Sequence, residues 1–329
     1  MGLHKHDPLV GSVLADDFRV VKQVGFGGYA RVYLAEQLSV GKRKVAIKVL
    51  HAVHAEAGQA AVAALKREAS FLAMLRSPCF PRIFRTGVAP NGLPYFVMEY
   101  VAGRTLESIL HESGPMKLFR AVGLLDEVCE GLAEMHSRDI VHRDIKSGNI
   151  AIEDGPAGRF HVKMLDLGSA KPAYEVDPAG PKGPALVGSP PYQAPETATS
   201  SVASDLSDVY GLGALAYELV CGIRAIHIKD TSPEAYSAYL RSNQPIPTYR
   251  IATIMPSIPE AVETVIHRAL SREPGARFRA VTEFRSALLE AAGEPPPAGE
   301  PPPVLPVGGG TPIGQISGAI RRLLPFRKS

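Results

Sequence analysis

The chain has 329 residues, with 36 Lys plus Arg against 33 Asp plus Glu and a net charge of +3. That balance excludes a protein whose main task is coating nucleic acid, and 45% hydrophobic residues provide for a substantial core. Cys79, Cys129 and Cys221 form no C-x-x-C pair, which argues against a disulfide framework or a cysteine zinc site and for a reducing compartment.

Residues 1–16 form an N-terminal arm without the apolar run of a signal peptide. Short β-branched runs separated by glycine-rich turns predict strands over Phe18–Val24, Arg31–Ala35 and Lys44–Leu50. A helix follows, with Ala61, Leu65, Leu72 and Leu75 at helical spacing. Strands return over Arg82–Val88 and Tyr95–Glu99, across the Asn91-Gly92 turn. The rest reads as mostly helical: Val122, Leu125, Cys129, Leu132 and His136 mark one face, and Leu212, Leu215 and Leu219 another. The longest apolar stretch, Val209–Ile228, is broken by Glu218 and Arg224, so no transmembrane segment is expected. The expected fold class is α+β, a β-rich lobe followed by a helical lobe with a ligand cleft between them, in a cytoplasmic protein. Eight prolines between Pro295 and Pro312 make residues 293–312 an extended linker.

Several residues carry chemistry. Gly25, Gly27 and Gly28 form a turn whose N–H groups can approach phosphate oxygens, although glycine turns between strands are common. No Lys-Ser or Lys-Thr follows as in a P-loop, and the next segment reads as a strand, so a hairpin over phosphates fits better. In Val45-Ala46-Ile47-Lys48-Val49, alternation places Val45, Ile47 and Val49 on one face and Ala46 with Lys48 on the other. A lysine there needs a matching charge, and Glu68, between Leu65 and Leu72 on the inward stripe of its helix, needs one too. Together they predict an ion pair. The densest cluster is His142-Arg143-Asp144-Ile145-Lys146-Ser147-Gly148-Asn149, followed by Asp166-Leu167-Gly168. It offers a proton acceptor, a lysine, and an amide plus a carboxylate of the hard-oxygen type that Mg²⁺ prefers.

These motifs, with Ala194-Pro195-Glu196, Ser207-Asp208-Val209-Tyr210-Gly211 and Arg277, stand in the order of the protein-kinase motif set. The chain resembles the eukaryotic-like (Hanks-type) serine/threonine protein kinases of bacteria from about Phe18 to Ala292. The resemblance implies a kinase domain over 17–292, with a small β-rich N-lobe over about 17–100 that holds one key helix. A larger, mainly α-helical C-lobe would cover about 101–292. It implies Mg²⁺ (or Mn²⁺) and ATP as cofactors, transfer of the γ-phosphoryl group to protein hydroxyls in signalling, and protein substrates with Ser or Thr as partners.

By resemblance, Asp144 would orient the acceptor hydroxyl and take its proton, and Lys146 would neutralise the transferring group. Asn149 and Asp166 would hold the metal. Lys48, held by Glu68, would bind the α- and β-phosphates beneath Gly25, Gly27 and Gly28. Val32 and Ala46 would pack on adenine, the backbone of Glu99 and Val101 would bond its edge, and Met98 would guard the rear of that pocket. His142 and Asp208 would be scaffold for the catalytic loop, Ser189 would take a place where Thr is usual, and Arg277 would pair with Glu196. Ala30 and Leu167 are the other departures from the family pattern, and no catalytic group is missing. The alternatives are a catalytically silent kinase-like scaffold and a small-molecule phosphotransferase of similar fold.

Arg143 implies control by a phosphate on the activation segment, yet 171–187 contain no Ser or Thr and Tyr174 is their one hydroxyl. Activity is therefore expected not to depend on autophosphorylation in mid-loop, with Glu175 or Asp177 as the substitute anion. Residues 313–329 carry Arg321, Arg322, Arg327 and Lys328 and no acids, with Ile313, Ile316, Ile320, Leu323 and Leu324 on one helical face. One reading is a basic amphipathic helix that docks on anionic lipid or a partner, peripheral at the membrane; the other is a disordered end. The pairs His4/His6 and His51/His54 lack further ligands nearby and read as terminal or surface residues.

Overall fold

Two antiparallel hairpins and their neighbours build the first half of the chain. The structure, a computed structural model, describes residues 7, 9–27, 30–50, 59–155, 160–173, 175, 189–198, 204–242 and 244–293. The described residues divide into two compact units, one running through Ala102 and including Lys163–Gly168, the other from Gly103 to Val162 and from Ser169 onward.

The first unit is a six-stranded sheet in the order β1-β2-β3-β4-β6-β5, antiparallel throughout. Its strands are β1 (Val13–Leu14), β2 (Phe18–Phe26), β3 (Ala30–Gln37), β4 (Arg43–Leu50), β5 (Ile83–Val88) and β6 (Pro94–Glu99). Most run one to three residues past the β-branched cores that mark them in the sequence. The ladder continues through polar residues such as Glu36 and Lys44, which pair across β3 and β4. Helix α1 (Gln59–Met74) packs against β4, β5 and β6, and Leu75 falls just beyond its end. Val45, Ile47 and Val49 join Phe18, Val20 and Tyr33 in one core cluster. Fully burying each aliphatic side chain of that size stabilises the unit by about 1.5–3 kcal/mol. That cluster is the face that alternation gives to Val45, Ile47 and Val49, with Ala46 and Lys48 on the other. Every residue from Val45 to Leu50 is buried, with Lys48 meeting Glu68 of α1 on the second face.

The second unit is mainly helical, with a small three-stranded sheet and a two-stranded one. Strand β7 (Arg104–Thr105) pairs with β9 (Ile150–Asp154), and β8 (Ile140–Val141) with β11 (Lys171–Pro172). Strand β10 (Phe160–Met164) completes the three-stranded order β10-β9-β7 and runs from this unit into the first. Helix α2 (Leu106–Ser113) starts at Thr105, whose hydroxyl accepts the N–H of Ser108 at 3.2 Å, and stops at Gly114. Helix α3 (Leu118–His136) packs on α8 (Val281–Ala292) and on α4 (Asp205–Cys221), and α4 packs on α7 (Glu260–Ala269). Helix α4 is buried on all sides from Ser207 to Cys221. It shows no single apolar stripe because it has no solvent face. It ends at Gly222, whose φ of +71° favours glycine. Helices α5 (Pro233–Arg241) and α6 (Ile251–Ile254) complete the unit. Among the described residues no helix is long and apolar enough to cross a membrane. The linker, the basic tail, the terminal and strand-end histidine pairs, Gly28, Tyr174 and Asp177 lie outside the described residues.

Candidate active site

In the first unit, Lys48 stands opposite Val32 on one neighbouring strand and Phe96 on the other. Its ammonium donates to both carboxylate oxygens of Glu68, at 2.7 and 2.8 Å, and to Asp166 Oδ1 at 2.8 Å. Glu68 is brought there by the inward stripe of α1, between buried Leu65 and Leu72. Burial works against the charge on Lys48, but Glu68 and Asp166 outweigh it and hold the lysine above its ordinary pKa. One cation serves two carboxylates, and they diverge. Burial pushes Glu68 up to about 7 despite Lys48, whereas Lys48 and the Gly168 N–H hold Asp166 well below the usual carboxylate range. Asp166 turns back to accept that N–H at 2.9 Å, a close approach that suits Gly168 because a Cβ there would stand 3.0 Å from Asp166 Oδ1.

The other first-unit residues singled out in the sequence lie along the same sheet. Gly25 pairs with Val32, and the N–H of Gly27 donates to the Ala30 carbonyl at 2.9 Å, closing the hairpin. Ala46 and Met98 are cross-strand partners and both are buried, with Val32 partly so. The Glu99 N–H donates to the Arg82 carbonyl, and Val101, beyond the end of β6, is half-buried. Sequence reasoning missed the side chain of Glu99, which accepts from buried Lys163 at 2.9 Å and from the Arg82 N–H at 3.1 Å. A lysine between Val162 and Met164 was the available signal.

In the second unit, the segment from His142 to Asn149 is shaped by a buried carboxylate from α4. Asp208 accepts the N–H of His142 at 2.8 Å and that of Arg143 at 2.9 Å, and it meets His136 Nε2 at 2.8 Å. Arg143 takes a φ of +69°, a left-handed conformation that costs a non-glycine residue about 1–3 kcal/mol, and the bond from its N–H to Asp208 helps hold it there. Burial raises the cost of charge at both ends of the pair. Even so, the hydrogen bond to Asp208 holds His136 above its ordinary pKa, and His136 in turn holds Asp208 below its own. His136, which the sequence places with the apolar face of α3, is thus a polar partner of the loop.

The loop presents Asp144 in a specific state. Its Oδ2 accepts from Lys146 Nζ at 2.8 Å and from Asn149 Nδ2 at 2.8 Å, and its carbonyl accepts from the same amide at 2.9 Å. Its Oδ1 is buried and has no hydrogen-bond partner. Lys146 also donates to Ser189 Oγ at 2.7 Å, tying the loop to the Ser-Pro-Pro-Tyr turn. Further along that segment Tyr192 donates to Glu218 at 2.7 Å and meets Ser147 at 3.1 Å. Glu218, which in the sequence merely interrupts an apolar stretch, is therefore a buried acceptor. Arg277, with a fully buried side chain, binds Glu196 through both terminal nitrogens at 2.7 and 2.8 Å and also donates to the carbonyls of Leu206, Ser271 and Arg272. Its guanidinium lies 5.0 Å from the ring centre of Tyr210. Glu175 lies 3.7 Å from Lys171.

Among the described residues no cluster of three or more His, Cys, Asp or Glu side chains could hold a metal ion. Each residue that the sequence offers as a metal ligand keeps, within its own unit, an oxygen of the hard type that such cations prefer. Asn149 uses its amide hydrogens on Asp144 and leaves its oxygen as an acceptor, and Asp166 leaves its second oxygen.

The family model described as the protein kinase domain matches residues 18–287. The chain is 34% identical over 289 residues to the serine/threonine-protein kinase PknB of Mycolicibacterium smegmatis, covering 87% of this chain and 44% of that protein. It is 35% identical to the serine/threonine-protein kinase Pkn1 of Myxococcus xanthus, covering 88% of this chain and 40% of that one. The chain thus spans less than half the length of these relatives. In fold it is similar to the crystal structure of the Mycobacterium tuberculosis PknI kinase domain, with a TM-score of 0.62 at 22% identity, over 86% of this chain and 98% of that domain.

Proposed function

Because this chain belongs to the protein kinase domain family, we propose that it transfers the γ-phosphoryl group of ATP to serine or threonine hydroxyls of proteins. The observation that carries this reading is the divided carboxylate of Asp144. One oxygen is fixed by Lys146 and Asn149 while the other is buried and without a partner. A carboxylate so held can accept a hydrogen bond from an incoming hydroxyl and take its proton as the oxygen attacks the γ-phosphorus. Lys146, beside it, would offset negative charge on the transferring group. Lys48, with its charge secured by Glu68, would bind the α- and β-phosphates, and the glycine-rich hairpin that includes Gly25 and Gly27 would lie over them.

A divalent cation, Mg²⁺ or alternatively Mn²⁺, would be held by Asn149 and Asp166 and would neutralise phosphate charge. Val32, Ala46 and Met98 would receive adenine, and the backbone of Glu99 and Val101 would bond its edge. The names of the relatives support serine and threonine as acceptors. Cys79, Cys129 and Cys221 are all free and buried, which supports the reading of a reducing compartment.

The test is incorporation of label from γ-labelled ATP into the protein itself and into generic basic and acidic proteins. Asp144→Asn should lower the rate by about 10²–10⁴-fold, and Asp166→Ala should abolish incorporation while leaving the protein folded. ATP binding without turnover in the unaltered protein would replace this reading with that of a kinase-shaped scaffold.

A further inference from the structure

Beside Lys146 and Ser189 the second unit holds a cavity of about 350 Å³, within the roughly 300–1,000 Å³ of ligand sites. Pro190, Tyr192 and Tyr236 give it apolar walls, and besides Lys146 its charged groups are Glu107 and Arg224. The charge of Lys146 is already met by Asp144. Glu107 belongs to the Gly148 end, where its Oε2 lies 3.2 Å from the position a Gly148 Cβ would take.

Arg224 is different. It is solvent-exposed, and among the described residues no carboxylate comes within ion-pair distance of its guanidinium. Its polar neighbours are the phenols of Tyr192 and Tyr236 and, farther off, the buried carboxyl of Glu218. Glu218 accepts from the Tyr192 hydroxyl at 2.7 Å and attracts the arginine only from beyond ion-pair distance. The backbone beneath Arg224 is fixed, because Gly222 ends α4 with an N–H to the Glu218 carbonyl, and Ala225 and Ile226 are buried. A guanidinium without a direct ion pair, on a fixed base and in a cavity that also contains the group held to Asp144, is a ready partner for a planar anion.

We propose that this cavity receives the substrate chain next to its acceptor hydroxyl and that Arg224 selects an anionic side chain there, a carboxylate or a phosphate. The proposal rests on the phosphoryl-transfer reading for the place of the acceptor. It adds a substrate class, proteins whose acceptor serine or threonine has an anionic residue close by in sequence.

The test uses the full chain and serine peptides that carry Glu, Gln, Lys or phosphoserine at single positions within three residues of the acceptor. At one position kcat/KM for Glu should exceed that for Gln by about fivefold or more, the scale of an exposed but well-aligned ion pair. In Arg224→Gln that ratio should fall below about twofold, and Arg224→Glu should turn the preference toward Lys. Because each ratio is taken within one variant, a general loss of activity cancels. Phosphoserine outranking Glu would assign the site to phosphate, and the reverse order to carboxylate.

Labelled peptides with Ala in place of the acceptor, followed by fluorescence anisotropy, read binding without turnover. If no peptide is phosphorylated but the Glu peptide binds more tightly than its Gln counterpart, and loses that advantage in Arg224→Gln, the cavity assignment stands and the catalytic reading falls. A ratio near one in the unaltered protein, a preference that survives Arg224→Gln, or no binding at all overturns the proposal.

Discussion

The two units fix their functional carboxylates by different physics. Around Lys48 the partners are side-chain ions: one buried ammonium, two carboxylates, and distances of 2.7 to 2.8 Å. Around Asp144 the order comes from backbone and amide hydrogen bonds, with Asp208 gathering two N–H groups and Asn149 clamping the loop at two points. The first arrangement depends on charge and therefore on pH. The second depends more on chain conformation, including a left-handed Arg143, with charge entering through Lys146 on Asp144 and His136 on Asp208. The contrast is the one that the proposed roles call for, since a lysine that binds phosphate has to respond to charge and a proton acceptor has to be in one place.

Removing the shared cation should give the largest break in this comparison. Lys48→Met leaves Glu68 and Asp166 without their counter-ion and should cost about 3–5 kcal/mol of stability. The loss should be greater at pH 8 than at pH 6, because Glu68, pushed up to about 7 in the intact protein, is more fully ionised at the higher pH. In the unaltered protein the native state keeps a proton on Glu68 that the unfolded chain releases near 4.5, so this group makes stability fall as pH rises through about 7. Glu68→Gln should remove that slope, and denaturant titrations across this range would show it.

Asp208→Asn should come next, at about 1–3 kcal/mol, since the amide cannot accept from both His142 and Arg143 as the carboxylate does. Its effect on turnover should exceed its effect on ATP binding, because it loosens the Asp144 loop and leaves the Lys48 cluster untouched. Equal losses in both would erase the proposed difference between the units.

The smallest effect concerns His136, at about 1 kcal/mol. Its pKa is raised from 6.5 and that of Asp208 lowered from 3.8, so the pair stabilises fully between those ordinary values. The contribution fades as pH rises through the elevated histidine value and as it falls through the depressed carboxylate value. The melting-temperature gap between the unaltered protein and His136→Asn should therefore be wider at pH 6 than at pH 9.

Much of the site was legible before any coordinates. A lysine centred in an apolar strand and a glutamate on an apolar helix stripe announced each other, since neither could be buried alone. The pairing of Arg277 with Glu196 came from resemblance and not from spacing, because 81 residues separate the partners. Asp208 with His136, Tyr192 with Glu218 and Glu99 with Lys163 are 72, 26 and 64 residues apart and left only the trace of a polar residue in apolar surroundings. Alternation on β4 was informative, since it set Ala46 and Lys48 apart from the face that joins the main cluster.

By itself the sequence determined the element types, the order of the chemical motifs and which charges needed partners. Those follow from backbone period, glycine and proline placement, and the cost of burying an unmatched ion. Only the tertiary structure decided how the demands are met: which oxygen of Asp144 is left open, which carboxylate of the Lys48 cluster is pushed up and which is held down, and which arginine faces a cavity without a direct ion pair. These depend on atoms brought together from distant parts of the chain, and on a local dielectric that exists only once the chain has packed.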